Sequence, residues 1–421
     1  MTDGSVQRMS GPLGSAILPM ANPIRDYDWG ATGTLARLQG RAPSGAPEAE
    51  LWMGAHPSAP STVLDAEGAA HRLDELVARL PHDLLGPEVV ALHGPRLPYL
   101  LKVLAIARPL SLQVHPDRDR AREGFAGEVQ VLGEHRYVDP FPKPEMLYAL
   151  EPVEALCGFR PAADAARLLG LLDGPRSRAI AEPLRNADPA DDTAALEKAF
   201  EILVTWPDDD RADLAIEAAD ETAAVLADPG LAERDRAAIT WVSRLAEFFP
   251  KDALVVAPLL LDLVRLAPGQ TLFVPAGAPH SYLSGTGVEI MGSSDNVLRA
   301  GLTHKPIAVQ ELLHVVDGRS RPHATAEIPL GECEVAWRPE APEFQLTRLR
   351  LPDGAAVQAH ASVIGAQIVL ATAGTVEIRC DGATHVLRAG ESALVPAGCG
   401  PLVLAGPGEA FRAACGGPAL P

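Results

Sequence analysis

Alternation between apolar and polar positions divides the chain into two strand-rich stretches separated by a helical one. Between residues 21 and about 150, short apolar runs are broken by proline and glycine. The runs at 97–106 and 110–115 have the length and the flanking residues of successive strands, and 71–80 has the spacing of a short helix. This part of the chain is therefore predicted to be mainly β.

The central stretch, from about 160 to 250, follows a helical period instead. Apolar residues recur at helical spacing in four segments separated by Pro-Asp and Asp-Gly dipeptides, which are 161–172, 193–206, 211–227 and 231–249. Strand character returns at Val255, and the strand-like runs 259–266 and 271–275 are joined by an Ala-Pro-Gly-Gln turn. From about residue 325 to the end we expect short strands and turns.

This order of elements predicts a mostly β protein with an α-helical insertion. Short strands joined by tight turns are typical of barrels and jelly rolls, so we expect two β modules and one helical domain. The predicted parts are an N-terminal tail over 1–20, a first β domain over 21–150 plus 251–322, a helical insertion over 151–250, and a C-terminal β domain over 323–421.

An internal repeat supports a relation between the two β modules. The segment 266–277 (LAPGQTLFVPAG) matches 387–398 (LRAGESALVPAG) at an offset of 121 residues, and each reads as strand, glycine turn, strand and Pro-Ala-Gly. His280 follows the first copy, and its counterpart after the second is Pro401. The second module is thus predicted to lack this histidine, although chance recurrence of glycine turns is an alternative.

Composition excludes several classes of protein. The formal net charge of −19 argues against a nucleic-acid binder, because neutralising phosphates requires a basic surface. Five cysteines without a CxxC spacing make a disulfide framework or a cysteine zinc site unexpected. The sequence shows neither a signal-like N-terminus nor an apolar run of about 18 residues, so we expect a cytoplasmic protein without a membrane span.

Four polar residues form a candidate metal site. Gln113 and His115 are two positions apart in a predicted strand, so their side chains point to the same face. Glu145 and His280 would complete the site if the fold brings them close. Two imidazoles, one carboxylate and one amide oxygen form a plausible ligand set for a borderline divalent ion such as zinc. The single carboxylate leaves about one net positive charge, which suits an anionic intermediate.

Seven motifs, spanning most of the chain, carry a resemblance to one enzyme family. The stretch VEIMGSSDNVLRAGLT at 288–303 is the most specific. The others are YDWG at 27–30, ELWMGAHP at 50–57, LKVL at 101–104, SLQVHP at 111–116, KPE at 143–145 and PAGAPHSYL at 275–283. In order and spacing this chain resembles the type I phosphomannose isomerases. Where the family commonly has Leu-Thr-Pro-Lys, this chain has His304 before Lys305.

The resemblance implies a fold and a reaction. The fold would be a cupin barrel with a helical insertion, in which 21–150 plus 251–322 is the catalytic domain and 323–421 is a cupin-like domain without metal ligands. The reaction would interconvert mannose 6-phosphate and fructose 6-phosphate through a cis-enediol. The expected cofactor is one zinc ion per chain and the expected partner is a sugar phosphate, with no nucleic acid, no membrane and a monomeric state.

The resemblance also implies roles for individual residues. The family's metal ligands fall on Gln113, His115, Glu145 and His280, and its active-site arginine falls on Arg299. Candidates for catalysis and proton transfer are Lys102, Lys143, Glu289 and Asp295, among which the sequence does not choose. Candidates for substrate binding are Ser111, Tyr282 and Lys305. For Lys102, a strand lysine that merely extends into solvent is the alternative.

Two other functions fit the same fold class. An iron-dependent cupin oxygenase is one, although Gln113 replaces the first histidine of the usual His-x-His pattern and Glu145 lies about 30 residues downstream. A sugar-binding or regulatory cupin without catalysis is the other. Fold alone does not decide between such functions, because one fold hosts many kinds of site.

Overall fold

A computed structural model describes residues 17–128, 136–185, 187–188, 190–361 and 363–416. The chain forms two compact units. Of these described residues, the first unit contains those up to 105, 288–293 and those from 325 onward, and the second unit contains those within 106–287 and 294–324. Most of the predicted N-terminal tail lies outside the described residues, and its last part already belongs to the first strand.

The described part of the N-terminal segment combines short strands with three helices. Its strands are β1 (Leu18–Ala21), β2 (Ile24–Arg25), β3 (Glu50–Met53), β4 (Thr62–Leu64), β5 (Ala70–Arg72) and β6 (Tyr99–Ile106). Its helices are α1 (Thr34–Leu38), α2 (Leu73–Arg79) and α3 (Pro81–His93), the last interrupted at Gly86.

The middle segment contains a helical block between two groups of strands. Its strands are β7 (Leu112–Val114), β8 (Glu145–Ala149), β9 (Val153–Phe159), β10 (Leu261–Leu266), β11 (Thr271–Val274), β12 (His280–Gly292) and β13 (Leu298–Gly301). Its helices are α4 (Arg118–Glu128), α5 (Ala162–Leu169), α6 (Pro175–Arg185), α7 (Thr193–Val204), α8 (Arg211–Leu226), α9 (Glu233–Phe248), α10 (Ala257–Leu260) and α11 (Val309–Val315). Two 3₁₀ turns cover Asp208–Asp210 and Ala253–Val256.

The C-terminal segment is built from strands. They are β14 (Ile328–Pro329), β15 (Glu334–Trp337), β16 (Gln345–Gln358), β17 (Val363–Cys380), β18 (Ala383–Arg388), β19 (Ser392–Val395) and β20 (Val403–Gly416). They form an antiparallel sheet in the order β14-β15-β16-β20-β17-β19-β1-β4-β5, with β18 paired to β17. The N-terminal strands β1, β4 and β5 thus complete the sheet of the C-terminal segment.

The predicted fold class is confirmed, because the chain is rich in curled β-sheet and contains a helical portion. The four predicted helical segments correspond to α5, α7, α8 and α9. The repeated turn also appears twice: Gly269 and Gly390 occupy equivalent positions and both have positive φ, at 98° and 81°. Among the described residues, no helix is both long and apolar enough to cross a membrane.

Several boundaries differ from the prediction. Val255 lies in a 3₁₀ turn rather than a strand, because the Asp252 side chain accepts a hydrogen bond from the backbone of Leu254 and caps the turn. The C-terminal strands are not all short, since β16, β17 and β20 contain 14, 18 and 14 residues. The helices α1, α3, α4, α6, α10 and α11 were not predicted, and α10 includes the first two residues of the run 259–266 that was predicted to be a strand. Internal prolines interrupt the periodicity of α3 and α6, and α4 buries little apolar surface.

In the second unit, one apolar core joins the strands to the helical block. Leu112 and Val114 of β7 are fully buried in it. Phe159 at the end of β9 packs its ring edge-on against Phe200 of α7, with centroids 5.6 Å apart. The helices therefore cover one face of the strands, and polar side chains of β7 must point to the other.

The first unit has a core of its own and also contains a buried ion pair. Arg412 of β20 and Glu334 of β15 are each 2% exposed, and Arg412 Nη2 lies 2.8 Å from Glu334 Oε1. Arg412 also donates to the carbonyl of His360, and the His360 backbone N–H donates to Glu334. The guanidinium and the carboxylate thus hold three parts of the C-terminal segment together.

We expect Glu334→Ala to destabilise this segment by about 3–5 kcal/mol, because it leaves the Arg412 charge buried without its counter-ion. Hydrogen exchange of peptides that cover β15 and β20 is the suitable measurement, since it reports on these strands separately. Glu340→Ala is the control, because Glu340 is exposed on the same segment. Equal protection in the two variants would contradict the role of the pair.

Candidate metal centre

Three strands of the second unit bring the four predicted metal ligands together. Gln113 lies on β7 and His115 directly follows it, while Glu145 and His280 are the first residues of β8 and β12. In the antiparallel register, His280 is the partner of Gln113. Glu145 in turn pairs with Val274 of β11. The backbone ladder itself therefore brings residues close that are up to 167 positions apart.

Alternation along β7 explains the direction of these side chains. Leu112 and Val114 enter the apolar core shared with the helices. Gln113 and His115 occupy the intervening positions, so their side chains point to the opposite face. The sequence prediction for this strand rested on the same period of two residues.

The distances show one compact cluster. His115 Nε2 lies 3.1 Å from Glu145 Oε1, and His280 Nε2 lies 3.4 Å from Glu145 Oε2. The two imidazole rings have centroids 4.9 Å apart. His115, Glu145 and His280 are all buried, and one ligand atom of each lies within 4.8 Å of the others.

Backbone carbonyls set the tautomer of both histidines. His115 Nδ1 is 2.9 Å from the carbonyl of Asn296, and His280 Nδ1 is 3.0 Å from that of Ala278. A carbonyl can only accept, so each Nδ1 carries the proton and each Nε2 presents its lone pair to the cluster. Burial, together with the nearby Lys143 charge, lowers the pKa of His115 to about 3, which keeps this ring neutral.

Gln113 is the fourth member of the cluster. Its amide nitrogen lies 3.4 Å from His280 Nε2. A half-turn of the amide exchanges nitrogen for oxygen, because the two ends of the group have nearly the same shape. The amide oxygen is then the end that faces a cation. Gln113 therefore lies beside His280, and its role as the fourth ligand stays a prediction.

Lys143 is a buried cation beside the ligands. Its ammonium contacts Glu145 and lies 3.3 Å from His115 Nε2. Burial acts to raise the pKa of Glu145, but the charge of Lys143 outweighs it and holds that pKa well below its ordinary value. Glu145 is therefore a carboxylate, the form that binds metal.

Gly277 fixes the loop that ends in His280. Its N–H donates to the carbonyl of His115 at 3.0 Å, and its own carbonyl accepts from Asp317. It has φ +79°, and a Cβ there would lie 2.9 Å from the Asp317 Cβ. Glycine is thus required both by the backbone conformation and by the close approach of the neighbouring chain.

The cluster fits a divalent ion. Ligand atoms of two imidazoles and one carboxylate lie within 4.8 Å of one another, with the Gln113 amide beside His280, and Glu145 Oε2 is buried without a hydrogen-bond partner in the described structure. A buried acceptor of this kind is normally satisfied, and a cation would satisfy it. Nitrogen and oxygen donors in this number match zinc or another borderline ion.

Three further candidate residues of this unit, Arg299, Tyr282 and Ser111, are buried or half-buried. Arg299 on β13 is half-buried, and its backbone pairs with Gln113. Tyr282 is buried on β12 with its ring 6.4 Å from that of His280. Ser111 is half-buried two residues before Gln113. These three therefore lie on or next to the strands that carry the ligands.

Asp295 and Lys305 are exposed. The backbone N–H of Asp295 donates to Asp139, and that of Lys305 donates to the Thr303 hydroxyl. Lys305 lines a cavity of about 960 Å³ together with His304 and residues of the helical block. His304, which stands where the family commonly has proline, lies in a loop in which Leu302 has φ +55° and its backbone N–H donates to Asp252.

Asn296 has a supporting role that the sequence reasoning did not identify. Its carbonyl fixes His115, and its side chain bonds the backbone at Val138, Asp139 and Phe141. Sequence spacing does not identify such a residue, because Asn296 contacts His115 through its backbone carbonyl and not through its side chain.

Two further candidates, Lys102 and Glu289, belong to the first unit and form a cluster of their own. Lys102 Nζ lies 3.2 Å from Glu289 and 3.4 Å from Glu50, and 5.0 Å from the centre of the Trp52 ring. Its side chain is 8% exposed, so the alternative in which it extends into solvent is wrong. Charge of either sign this deeply buried requires partners, and here two carboxylates face one ammonium.

Comparison with known proteins agrees with the motifs. A model of the catalytic domain of type I phosphomannose isomerases matches residues 17–162. The mannose-6-phosphate isomerase of Salmonella typhimurium is 34% identical over 93% of this chain and 98% of its own length. That of Escherichia coli is 33% identical over the same shares.

Solved structures give the same result. A mannose 6-phosphate isomerase bound with zinc and yttrium superposes with a TM-score of 0.82 at 31% identity, covering 96% of this chain and all of that one. Since sequence similarity extends over nearly the full length of the relatives, and the fold agrees with theirs, this chain belongs to the type I phosphomannose isomerase family.

Proposed function

We propose that this protein is a zinc-dependent aldose–ketose isomerase that interconverts mannose 6-phosphate and fructose 6-phosphate. The observation that carries the proposal is the convergence of His115, Glu145 and His280, with Gln113 beside them, on one buried point. The relatives are named for this activity, and one of them was crystallised with zinc.

The reaction moves a proton between C2 and C1 of an open-chain sugar. A proton next to a carbonyl is weakly acidic, so the enzyme must stabilise negative charge on the enediolate oxygens. Zinc held by Gln113, His115, Glu145 and His280 supplies this as a Lewis acid. Arg299, which is always cationic, lies on the neighbouring strand and is proposed to stabilise the same charge.

Lys143 is proposed to act on the substrate from within the site. Its ammonium shares the Glu145 carboxylate and the His115 lone pair that the ion requires. Because the ammonium and an ion would compete for these ligand atoms, Lys143 is proposed to donate to a substrate oxygen when the site holds its ion. It is also a candidate for proton transfer, as is Asp295; the corresponding roles of Lys102 and Glu289 stay predictions from the family resemblance.

The phosphate group requires cationic and hydroxyl donors. Ser111 and Lys305 are proposed for this role. Lys305 lines the cavity described above, where Lys251 and His304 also lie. Neither of the two alternative functions is favoured, because the relatives named above are isomerases. The monomeric state and the cytoplasmic location stay predictions.

Removal of zinc tests the proposal. We expect chelation to abolish the conversion of mannose 6-phosphate, measured by coupling fructose 6-phosphate formation to a dehydrogenase. Added zinc should restore the rate, whereas magnesium should not, because magnesium prefers six oxygen donors. Full activity at a zinc content near zero would contradict the proposal. Oxygen uptake by the iron-loaded protein would support the oxygenase instead.

A further inference from the structure

A second group of metal-binding side chains lies in the C-terminal segment, in the first unit. Cys380 is the last residue of β17, Asp381 begins the turn to β18, and Cys399 lies in the loop after β19. The two cysteines are 19 positions apart and therefore do not form a CxxC motif. The expectation that the chain has no cysteine metal site rested on that spacing.

The three side chains converge. The sulfur atoms of Cys380 and Cys399 and a carboxylate oxygen of Asp381 all lie within 4.8 Å of one another. Cys380 is buried and Cys399 is half-buried, and neither forms a disulfide. In a tetrahedral zinc site with bonds of about 2.3 Å to sulfur, ligand atoms are about 3.8 Å apart. The observed cluster therefore needs only small side-chain movements to bind an ion.

The backbone of Gly400 contacts two of the three side chains of the cluster. Gly400 donates its N–H to Asp381 Oδ2 at 3.0 Å, and its carbonyl lies 3.4 Å from the sulfur of Cys380. A Cβ at position 400 would lie 2.4 Å from Asp381 Oδ1. The loop after β19 thus closes directly on the carboxylate and the thiol of the β17 turn.

We propose that Cys380, Cys399 and Asp381 bind one thiophilic divalent ion, such as zinc, with water as the fourth ligand. Binding releases the two thiol protons and leaves a site with two thiolates, one carboxylate and a net charge of about −1. The ion would join the β17–β18 turn to the loop after β19. This site shares no ligand with the centre at His115, Glu145 and His280.

Cadmium is the probe that separates the two sites. Thiolate bound to cadmium absorbs in the near ultraviolet through charge transfer, whereas imidazole, amide and carboxylate ligands do not. We therefore expect the cadmium-loaded full-length protein to show this band. Cys380→Ser and Cys399→Ser should each lose most of it, and zinc bound per chain should fall from two ions to one in either variant.

Controls separate the site from misfolding and from other thiols. Cys333→Ser should keep the band, because Cys333 is outside the cluster. Retention of isomerase activity and of one zinc ion in the two cluster variants shows that they are folded. Asp381→Asn should weaken cadmium binding while keeping the band.

Two results would overturn the proposal. The first is a band that is absent in the wild-type protein or equally strong in Cys399→Ser. The second is a protein purified under reducing conditions in which Cys380 and Cys399 are joined by a disulfide, detected as a mass lower by two hydrogens and by the missing thiols. In that case the pair is a redox bond rather than a metal site.

Discussion

Replacement of Glu145 by alanine will yield a protein that loses the zinc ion of the cluster at His115, Glu145 and His280 and has almost no isomerase activity. Glu145 is the only carboxylate in the described cluster with His115 and His280. Without it, two neutral imidazoles and an amide remain to hold a dication next to the Lys143 ammonium. Lewis-acid stabilisation typically contributes several kcal/mol, so we expect a loss of turnover of about three orders of magnitude or more.

Glu145→Gln distinguishes the charge of this side chain from its size. The glutamine has nearly the same volume and can still accept a hydrogen bond from Lys143, so the packing of the site should survive. Metal affinity should nevertheless fall, since the negative charge is gone. Zinc content by elemental analysis after dialysis, together with the coupled assay, measures both effects on one sample.

Glu123→Ala is the matched control, because Glu123 is an exposed carboxylate on α4 of the same unit. It should keep both zinc and activity. A Glu145→Ala protein with a full complement of zinc would remove Glu145 from the ligand set. Full zinc together with lost activity would instead assign it a role in the chemistry alone.

The fold class was predictable from sequence because periodicity reports burial. Along β7, the buried pair Leu112 and Val114 alternates with Gln113. In the helices α7 to α9, buried residues recur at helical spacing along one face. Helix α4 has no such face, so only its tertiary neighbours can reveal it. The boundary near Val255 failed for another reason, since a single cap by Asp252 outweighed the β-branched residues that follow.

The site was predictable in part. A period of two residues placed Gln113 and His115 on one face, but nothing local connects them with Glu145 or His280. The family motifs connected these four residues. In the structure, the antiparallel register between β7 and β12 brings His280 next to Gln113. The roles of Asn296 and Gly277 depend on backbone contacts with His115. Contacts of this kind leave no side-chain signature. The cluster of Cys380 and Cys399 was missed for a different reason, because its two cysteines are 19 positions apart and meet only in the folded chain.

Arg299→Ala is expected to separate catalysis from metal binding. Arg299 lies on β13 opposite Gln113, and its guanidinium has no lone pair with which to bind a metal ion. Its loss should therefore leave zinc content unchanged. Removal of one preorganised donor to a developing oxyanion typically lowers turnover about 10²–10³-fold, and we expect kcat to fall by that factor.

The division of the effect between kcat and KM identifies what Arg299 touches. If it stabilises the enediolate, kcat and kcat/KM fall together, because the interaction is made only in the transition state. If it binds the phosphate, KM rises while kcat is nearly preserved, since that contact is the same in both states. Arg319→Ala, which removes a largely exposed guanidinium of the same unit, is the control. Wild-type kcat and KM in the Arg299→Ala variant would exclude both roles.

Arg299→Lys should recover only part of the rate, because lysine keeps the charge but cannot present two parallel donors.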